Sequence, residues 1–342
     1  MKLVRTVLIL FLIAAGACSP SVPKLTAQPD PTNETVDSDS GVEVFDPEVD
    51  ILFVVDDSGS MSLHQQNLIA NIDKFVDAFT KRANIDYHIG VIGSGMETFY
   101  TNCCGVLHGF PNYVEKSTPN LVNVLKANLL MGTNGSGTER FFDPVMAALT
   151  PPLVDHDNAG FFRKDAHLAL VFITDAEDQS ATEVQAFYDF LVQLKGRKEK
   201  FISYAVMIPS TDMVCPRDEA GVVPTRLEKF LGMMPNAGNN EFSLCDVNFG
   251  DRVAQIADDL VRYVGNIIYL SRPPLIETIK VMFGTQEIPR DVKKGWAFDP
   301  ARNALLIGDE IEWSVQPNGT KVRVYYEAAT FPIQPHPTFQ TR

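Results

Sequence analysis

Apolar and polar positions along the chain follow two rhythms. From residue 49, short apolar runs alternate with stretches where apolar residues return every three or four positions. "DILFVVD" (50–56) is continuously apolar between its acids, the pattern of a strand buried on both faces of a parallel sheet. "YHIGVIG" (87–93), "HLALVFITD" (167–175) and "FISYAVMI" (201–208) read the same way. Leu68, Ile69, Ile72, Phe75, Val76 and Phe79 recur at helical spacing. Residues 118–130, 140–149, 181–195 and 251–265 predict further helices, with Pro119 in the first turn of one and Pro144 near the start of another. Strands and helices in alternation predict an α/β domain over 49–268, a doubly wound, mostly parallel sheet flanked by helices. After about residue 265 the period shortens to two. "TIKVMFG", "GWAFDPARNALLIG" and "GTKVRVYYEA" are short strands divided by Gly, Asn-Gly and Asp-Pro turns. They predict a small C-terminal antiparallel β-unit over 269–342, with Trp296 and Phe298 in its core. No internal repeat is visible.

The first residues follow neither rhythm. In "MKLVRTVLILFLIAAGACSP", Lys2 and Arg5 precede an apolar run, and Ala15-Gly16-Ala17 precede Cys18. Charge, core length and small-residue exit predict a secretory signal peptide over 1–17. The run is too short to span a membrane. Cys18 directly after the exit resembles the lipobox of bacterial lipoproteins, although Ala15 stands where that motif usually has Leu. The resemblance implies lipidation of Cys18 and a membrane anchor, and Ser19 in place of Asp implies outer-membrane sorting, facing either the periplasm or the surface. Ala15-x-Ala17 also suits plain secretion. Residues 18–48, with Pro20, Pro23, Pro29, Pro31 and Pro47 among Ser, Thr, Asp and Glu, read as a disordered acidic tether. About 25 flexible residues would span roughly 25–30 Å.

Charge and cysteines narrow the partners. The 43 acidic against 29 basic residues give a formal charge of −14, which argues against nucleic acid and favours cations. The five cysteines are Cys18, Cys103, Cys104, Cys215 and Cys245. With Cys18 lipidated, an even number remains for an oxidising compartment. Cys215 and Cys245 enclose a long polar loop and read as a disulfide. Adjacent Cys103 and Cys104 leave three outcomes open: a vicinal bridge, pairing with the other two, or free thiols. The histidines show no zinc spacing, and His88 and His167 fall on predicted strands as structural residues. There is no phosphate-binding loop, and "IGSGM" (92–96) is a turn and not a nucleophile elbow. No Ser-His-Asp or Cys-His arrangement can be assembled from spacing, so no enzymatic activity is expected.

The acids that end the strands carry the candidate chemistry. Asp56, Ser58 and Ser60 form D-x-S-x-S immediately after Ile51–Val55. Asp175 ends another apolar strand in "VFITDAED", and the glycine-rich "GTNGSGTE" (132–139) lies between them. In a parallel sheet these segments meet at the carboxyl ends of the strands, where ligands of such sheets sit. Two carboxylates and several hydroxyls are hard oxygen donors suited to Mg²⁺ or Mn²⁺. Few direct carboxylates leave such an ion electrophilic enough to capture an acidic group. Asp57, Glu177 and Asp178 read as solvated acids near the same edge, with a second cation site as the alternative.

"FVVDDSGSM" and "VFITDAED" resemble the metal-ion-dependent adhesion site of the von Willebrand factor type A domain, over about residues 49–268. The resemblance implies direct metal ligation by Ser58 and Ser60. It implies that Asp56 and Asp175 act through waters or hydroxyls, and that a loop threonine adds a ligand. Thr133 and Thr138 both qualify, Gly132-Thr133-Asn134 being closer to the usual loop, while Ser136 and Glu139 could instead form a capping box. "GWAFDPARN" and "KVRVYYEA" are similar to tails of proteobacterial lipoproteins carrying this domain. The expected function is a binding module that holds a protein or another acidic ligand through a bridging divalent cation. Mg²⁺ is the first choice, with Mn²⁺ and Ca²⁺ as alternatives. The alternative function is an envelope scaffold whose metal site is vestigial or structural.

Overall fold

Five apolar residues in a row at Ile51–Val55 offer no polar face, so their strand must be covered on both sides. A six-stranded sheet in the computed structural model does this. The structure describes residues 40–45, 47–80, 85–100, 102–213, 215, 223–317 and 319–329. The signal peptide, Cys18, tether residues 19–39 and residues 330–342 of the β-unit lie outside the described residues.

The first strand, β1 (Ser40–Phe45), belongs to the C-terminal unit. The main sheet holds β2 (Glu48–Val55), β3 (Asp86–Gly93), β4 (Tyr113–Glu115), β5 (His167–Ile173), β6 (Phe201–Met207) and β7 (Glu241–Ser243). Their order is β4-β3-β2-β5-β6-β7, parallel except for β4. The helices are α1 (Ser62–Thr80), α2 (Leu121–Leu129), α3 (Phe142–Ala148), α4 (Val184–Lys195), α5 (Thr225–Leu231) and α6 (Phe249–Gly265).

Alternate residues of β2 enter different cores. Ile51, Phe53 and Val55 pack with the apolar faces of α1, α2 and α6, while Leu52 and Val54 pack with α3, α4 and α5. Each such side chain contributes roughly 1.5–3 kcal/mol on full burial. The α1 residues picked out by spacing face this core, with Leu68, Ile72, Phe75, Val76 and Phe79 buried and Ile69 half-buried against it.

The C-terminal unit contains β8 (Ile267–Tyr269), β9 (Lys280–Phe283), β10 (Gln286–Ile288), β11 (Trp296–Asp299), β12 (Ala304–Ile307) and β13 (Val322–Glu327). They form two antiparallel sheets, β1-β13-β9-β10 and β11-β12-β8. Trp296 is buried in their shared core, where its indole N–H donates to the Ile288 carbonyl at 3.1 Å, and Phe298 packs beside it.

Three expectations need correction. The tether reading fails at 40–45, because β1 pairs with β13 across the whole strand. Val42 and Val44 face outward, so β1 lacks a buried apolar face to advertise it. Backbone pairing with a segment far along the chain makes the strand. Gly41 lies beneath the Tyr326 ring, where an added Cβ would come within 2.3 Å of it. Pro119 precedes α2 and is not in its first turn, since the chain turns through left-handed Asn120 before the helix begins. The loop between Cys215 and Cys245 is not wholly irregular, because it carries α5 and β7, both too short to show a period.

An ion pair on a buried carboxylate fastens β2 at the end opposite Asp56. Asp50 on β2 is fully buried. It accepts the Arg163 backbone N–H at 2.6 Å and the Arg163 Nε at 2.8 Å. Burial raises the Asp50 pKa, and Arg163 opposes the rise. Arg163→Ala would leave a buried carboxylate without its cation, and we expect it to lower unfolding free energy by roughly 3–5 kcal/mol. Replacing both partners, as Asp50→Asn with Arg163→Met, should cost less in denaturant titration than Arg163→Ala alone.

Candidate metal centre

The backbone ladder of β2 does not stop at its last apolar residue. The Asp56 N–H donates to the Ile173 carbonyl of β5 at 2.9 Å, so a polar side chain is carried into the sheet edge. Asp56 is fully buried. Its Oδ1 accepts the Ser58 N–H at 2.9 Å, and its Oδ2 accepts the Thr174 hydroxyl at 2.7 Å. Burial pushes this carboxyl up to about 7, against the hydrogen bonds that pull it down. The charged form is therefore costly here, and a cation beside it would relieve the cost.

From Asp56 the oxygens run outward. Ser58 Oγ lies 3.1 Å from Ser60 Oγ, and the Ser60 hydroxyl donates to Asp175 Oδ1 at 3.0 Å. Ser58 is buried, Asp175 half-buried and Ser60 exposed, so the chain leads from the sheet to solvent. The structure thus brings together four of the six expected residues. Neither the Thr133 nor the Thr138 hydroxyl hydrogen-bonds to any of these four. The Thr138 N–H is taken up by Ser136 Oγ at 3.0 Å. Two carboxylates and two hydroxyls at one solvent-facing point fit a small, hard divalent cation. Among the described residues no three His, Cys, Asp or Glu cluster as metal ligands, so an ion held here would depend on the serines.

Two supporting residues escaped the sequence reading. Gln65 is buried on α1, and its Nε2 donates to the Asp56 and Gly132 carbonyls, each at 2.9 Å. It ties the D-x-S-x-S turn to the glycine loop just before Thr133. Its signal was a polar residue at the same face as Met61, Leu68 and Ile72. Thr174 precedes Asp175, and its N–H continues the ladder to Val206 while its hydroxyl reaches Asp56. A hydroxyl inside an otherwise apolar strand end was its signal. The glycine loop also approaches Asp57 closely. The Gly135 N–H donates to the Asp57 carbonyl at 2.8 Å, and a Cβ on Gly135 would fall 2.1 Å from the Asp57 carboxyl carbon.

Of the three acids read as solvated, Asp57 and Asp178 are buried and Glu177 is half-buried. Asp57 is buried, with Oδ2 only 3.4 Å from Asn102 Nδ2 and Oδ1 without a partner. Asp178 is buried, pairs with Arg226 Nε at 3.0 Å and accepts the Phe141 N–H at 2.8 Å. Glu177 accepts the Arg226 N–H and the Thr225 hydroxyl at the start of α5. Both serve backbone donors that helix starts leave unpaired. Ser180 Oγ takes the Phe142 and Asp143 N–H groups, so the capping box of Ser136 and Glu139 does not form.

The cysteine alternatives resolve locally. Cys103 and Cys104 form a vicinal disulfide, and Cys215 pairs with Cys245. The vicinal pair sits beside Asn102, whose Nδ2 also donates to the Met131 carbonyl at 2.8 Å, and the Cys104 N–H reaches the Gly95 carbonyl. The loop after β3 is thereby pinned to the back of the candidate site.

No protein family and no curated relative matches the chain. Among solved structures, proximal thread matrix protein 1 from the mussel byssus is similar at 15% identity and a TM-score of 0.40, over 66% of this chain and 51% of that one. The same protein with a zinc-occupied MIDAS motif is similar at 13% identity and a TM-score of 0.37, over 64% and 48%. The pilus adhesin SpaC from Lactobacillus rhamnosus GG, in its open conformation, is similar at 12% identity and a TM-score of 0.38, over 82% and 38%. The chain spans about half or less of the length of these proteins. Likeness this distant carries no argument about function.

Gln65→Ala would strip the buried Asp56 carbonyl and the half-buried Gly132 carbonyl of their donor. We expect a loss of roughly 1–3 kcal/mol in stability and about 10–100-fold in affinity for a divalent cation. Thr174→Val should weaken cation binding in the same direction by leaving Asp56 Oδ2 without its hydroxyl. Thermal melts and calorimetric titration of each variant measure the two effects.

Proposed function

We propose that the domain is a metal-dependent binding module, not an enzyme, and that it captures a protein or other acidic ligand through a divalent cation. The observation that supports this reading is the run of hydrogen bonds from buried Asp56 to the Ser58 backbone N–H, and from the Ser58 hydroxyl through Ser60 to Asp175. Ser58 and Ser60 would contact the ion, and the two aspartates would supply charge beside it. Thr133 would join from the loop anchored by Gln65, with Thr138 as the alternative. Mg²⁺ is the favoured ion, with Mn²⁺ and Ca²⁺ behind it, because the donors are all hard oxygens. The exposed end at Ser60 is where a carboxylate from the ligand would complete the coordination shell.

The same reading makes the chain an exported lipoprotein of the bacterial envelope, anchored through Cys18 in the outer membrane, with plain secretion as the alternative. The two disulfides suit an oxidising compartment. A scaffold role is the second reading, and one observation favours it. The Ser58–Ser60–Asp175 hydrogen bonds join the D-x-S-x-S turn to the end of β5, a tie that serves a structural role in its own right.

Calorimetric titration of the chelator-treated full chain with Mg²⁺, Mn²⁺ and Ca²⁺ separates them. Saturable binding that disappears in the Ser58→Ala, Ser60→Ala double variant supports the metal-dependent module. Absent binding, or equal binding in both proteins, leaves the scaffold.

A further inference from the structure

Two side-chain amides hold consecutive carbonyls of the glycine loop. Gln65 donates to the Gly132 carbonyl at 2.9 Å, and Asn102 donates to the Met131 carbonyl at 2.8 Å. Asn102 Nδ2 also stands 3.4 Å from Asp57 Oδ2, inside the D-x-S-x-S turn. The Asp57 carbonyl in turn accepts the Gly135 N–H at 2.8 Å. Asn102 therefore touches both halves of the candidate metal centre, and its placement governs how the loop carrying Thr133 sits. Gln65 is fixed by α1. Asn102 lies on a loop and needs another constraint.

The two cysteines that follow Asn102 supply it. The Cys103–Cys104 disulfide joins chain neighbours, so it closes a small ring that contains their own peptide bond and restricts the backbone torsions of both. Cys104 is held at φ +67°, in the left-handed region that a residue with a Cβ seldom occupies. There its N–H reaches the Gly95 carbonyl at 2.8 Å, and Cys103 forms a β-bridge with Gly95. The Asn102 backbone lies against Gly93, the last residue of β3, where an added Cβ would come within 2.4 Å of the Asn102 carbonyl oxygen. Residues 102–104 are thus clasped to the end of β3 while the ring is closed. Both cysteines are half-buried, within reach of a small thiol.

We propose that the Cys103–Cys104 pair is a redox latch on the candidate metal centre, opened by a dithiol. A thiolate of the dithiol attacks one Sγ and releases the other cysteine as a thiol. Its second thiol then attacks the mixed disulfide and frees the first cysteine. Two electrons pass to the cysteines, the two thiol protons end on their sulfurs, and the dithiol leaves as a disulfide. With the ring open, Cys104 leaves the left-handed region, Asn102 lets go of the Met131 carbonyl, and the glycine loop loosens. Affinity for a divalent cation then falls. The change in affinity rests on the metal-binding reading, whereas the release of the glycine loop does not.

Residue-resolved hydrogen exchange of the full chain, with and without dithiothreitol, tests the latch. Reduction should speed exchange of the Cys104 and Gly135 N–H groups by about tenfold or more. The Asp56 N–H, in the sheet ladder, should stay slow. A Cys103→Ser, Cys104→Ser double variant should exchange fast at Gly135 from the start and ignore the reductant, which separates this pair from Cys215–Cys245. Asn102→Ala should speed Gly135 with the disulfide intact. Titration with Mg²⁺ should show affinity about tenfold lower after reduction. By reciprocity, saturating Mg²⁺ should make the disulfide harder to reduce by the same factor, about 30 mV in midpoint. Exchange at Gly135 that is unmoved by reduction overturns the proposal. So does a response that persists in the double variant, or one that spreads to Asp56 and marks general unfolding. If the oxidised chain binds no Mg²⁺, the metal reading falls, and exchange at Gly135 alone decides the latch. If it binds Mg²⁺ and reduction leaves affinity unchanged, the latch falls and the metal reading stands.

Discussion

A carboxylate sits where water does not reach, at the end of the central strand, and the surrounding structure is arranged around that fact. Asp56 is carried into burial by the same ladder that buries Ile51–Val55. Desolvation opposes its charge, and the Ser58 N–H, the Thr174 hydroxyl and the Ser58 side chain compensate directly. A group in that condition either keeps a proton or takes a cation. The serines and Asp175 form the path along which a cation would be held, and Gln65 fixes the turn that presents them.

The edge that carries this site is held by polar side chains reaching across loops. Gln65 clamps the glycine loop, Asn102 holds Met131 and approaches Asp57, and Asp178 with Ser180 receives the start of α3. Arg226 then neutralises Asp178, while Glu177 receives the start of α5. Loops at the carboxyl edge of a parallel sheet have no ladder to rigidify them. Buried hydrogen bonds to their backbone do that work, and a site built on them keeps its geometry.

The C-terminal unit has a different logic. Its strands are short, and one edge of the β1-β13-β9-β10 sheet is β1, which arrives from the other end of the chain. The Tyr326 hydroxyl donates to Glu43 at 3.0 Å, adding a side-chain tie to the ladder.

Local pattern was enough to read the main elements. Continuous apolar runs could only be strands covered on both faces, and Leu68, Ile72, Phe75 and Phe79 could only share a face on a helix, because side-chain direction follows backbone period. The strand-end positions of Asp56 and Asp175 followed from the same runs, so a shared sheet edge was legible before any coordinate. Contacts that join distant segments were not legible. β1 turns its two valines outward, and α5 and β7 are too short for a period. Asp178 looks like any surface acid until Arg226 and the start of α3 are placed beside it. The sequence by itself determined which segments are buried and which oxygens reach the carboxyl edge, since burial follows from local composition. Only the tertiary structure decided which of those groups are paired, desolvated or left without a partner. Those states depend on neighbours far away in the chain, and no local window contains them.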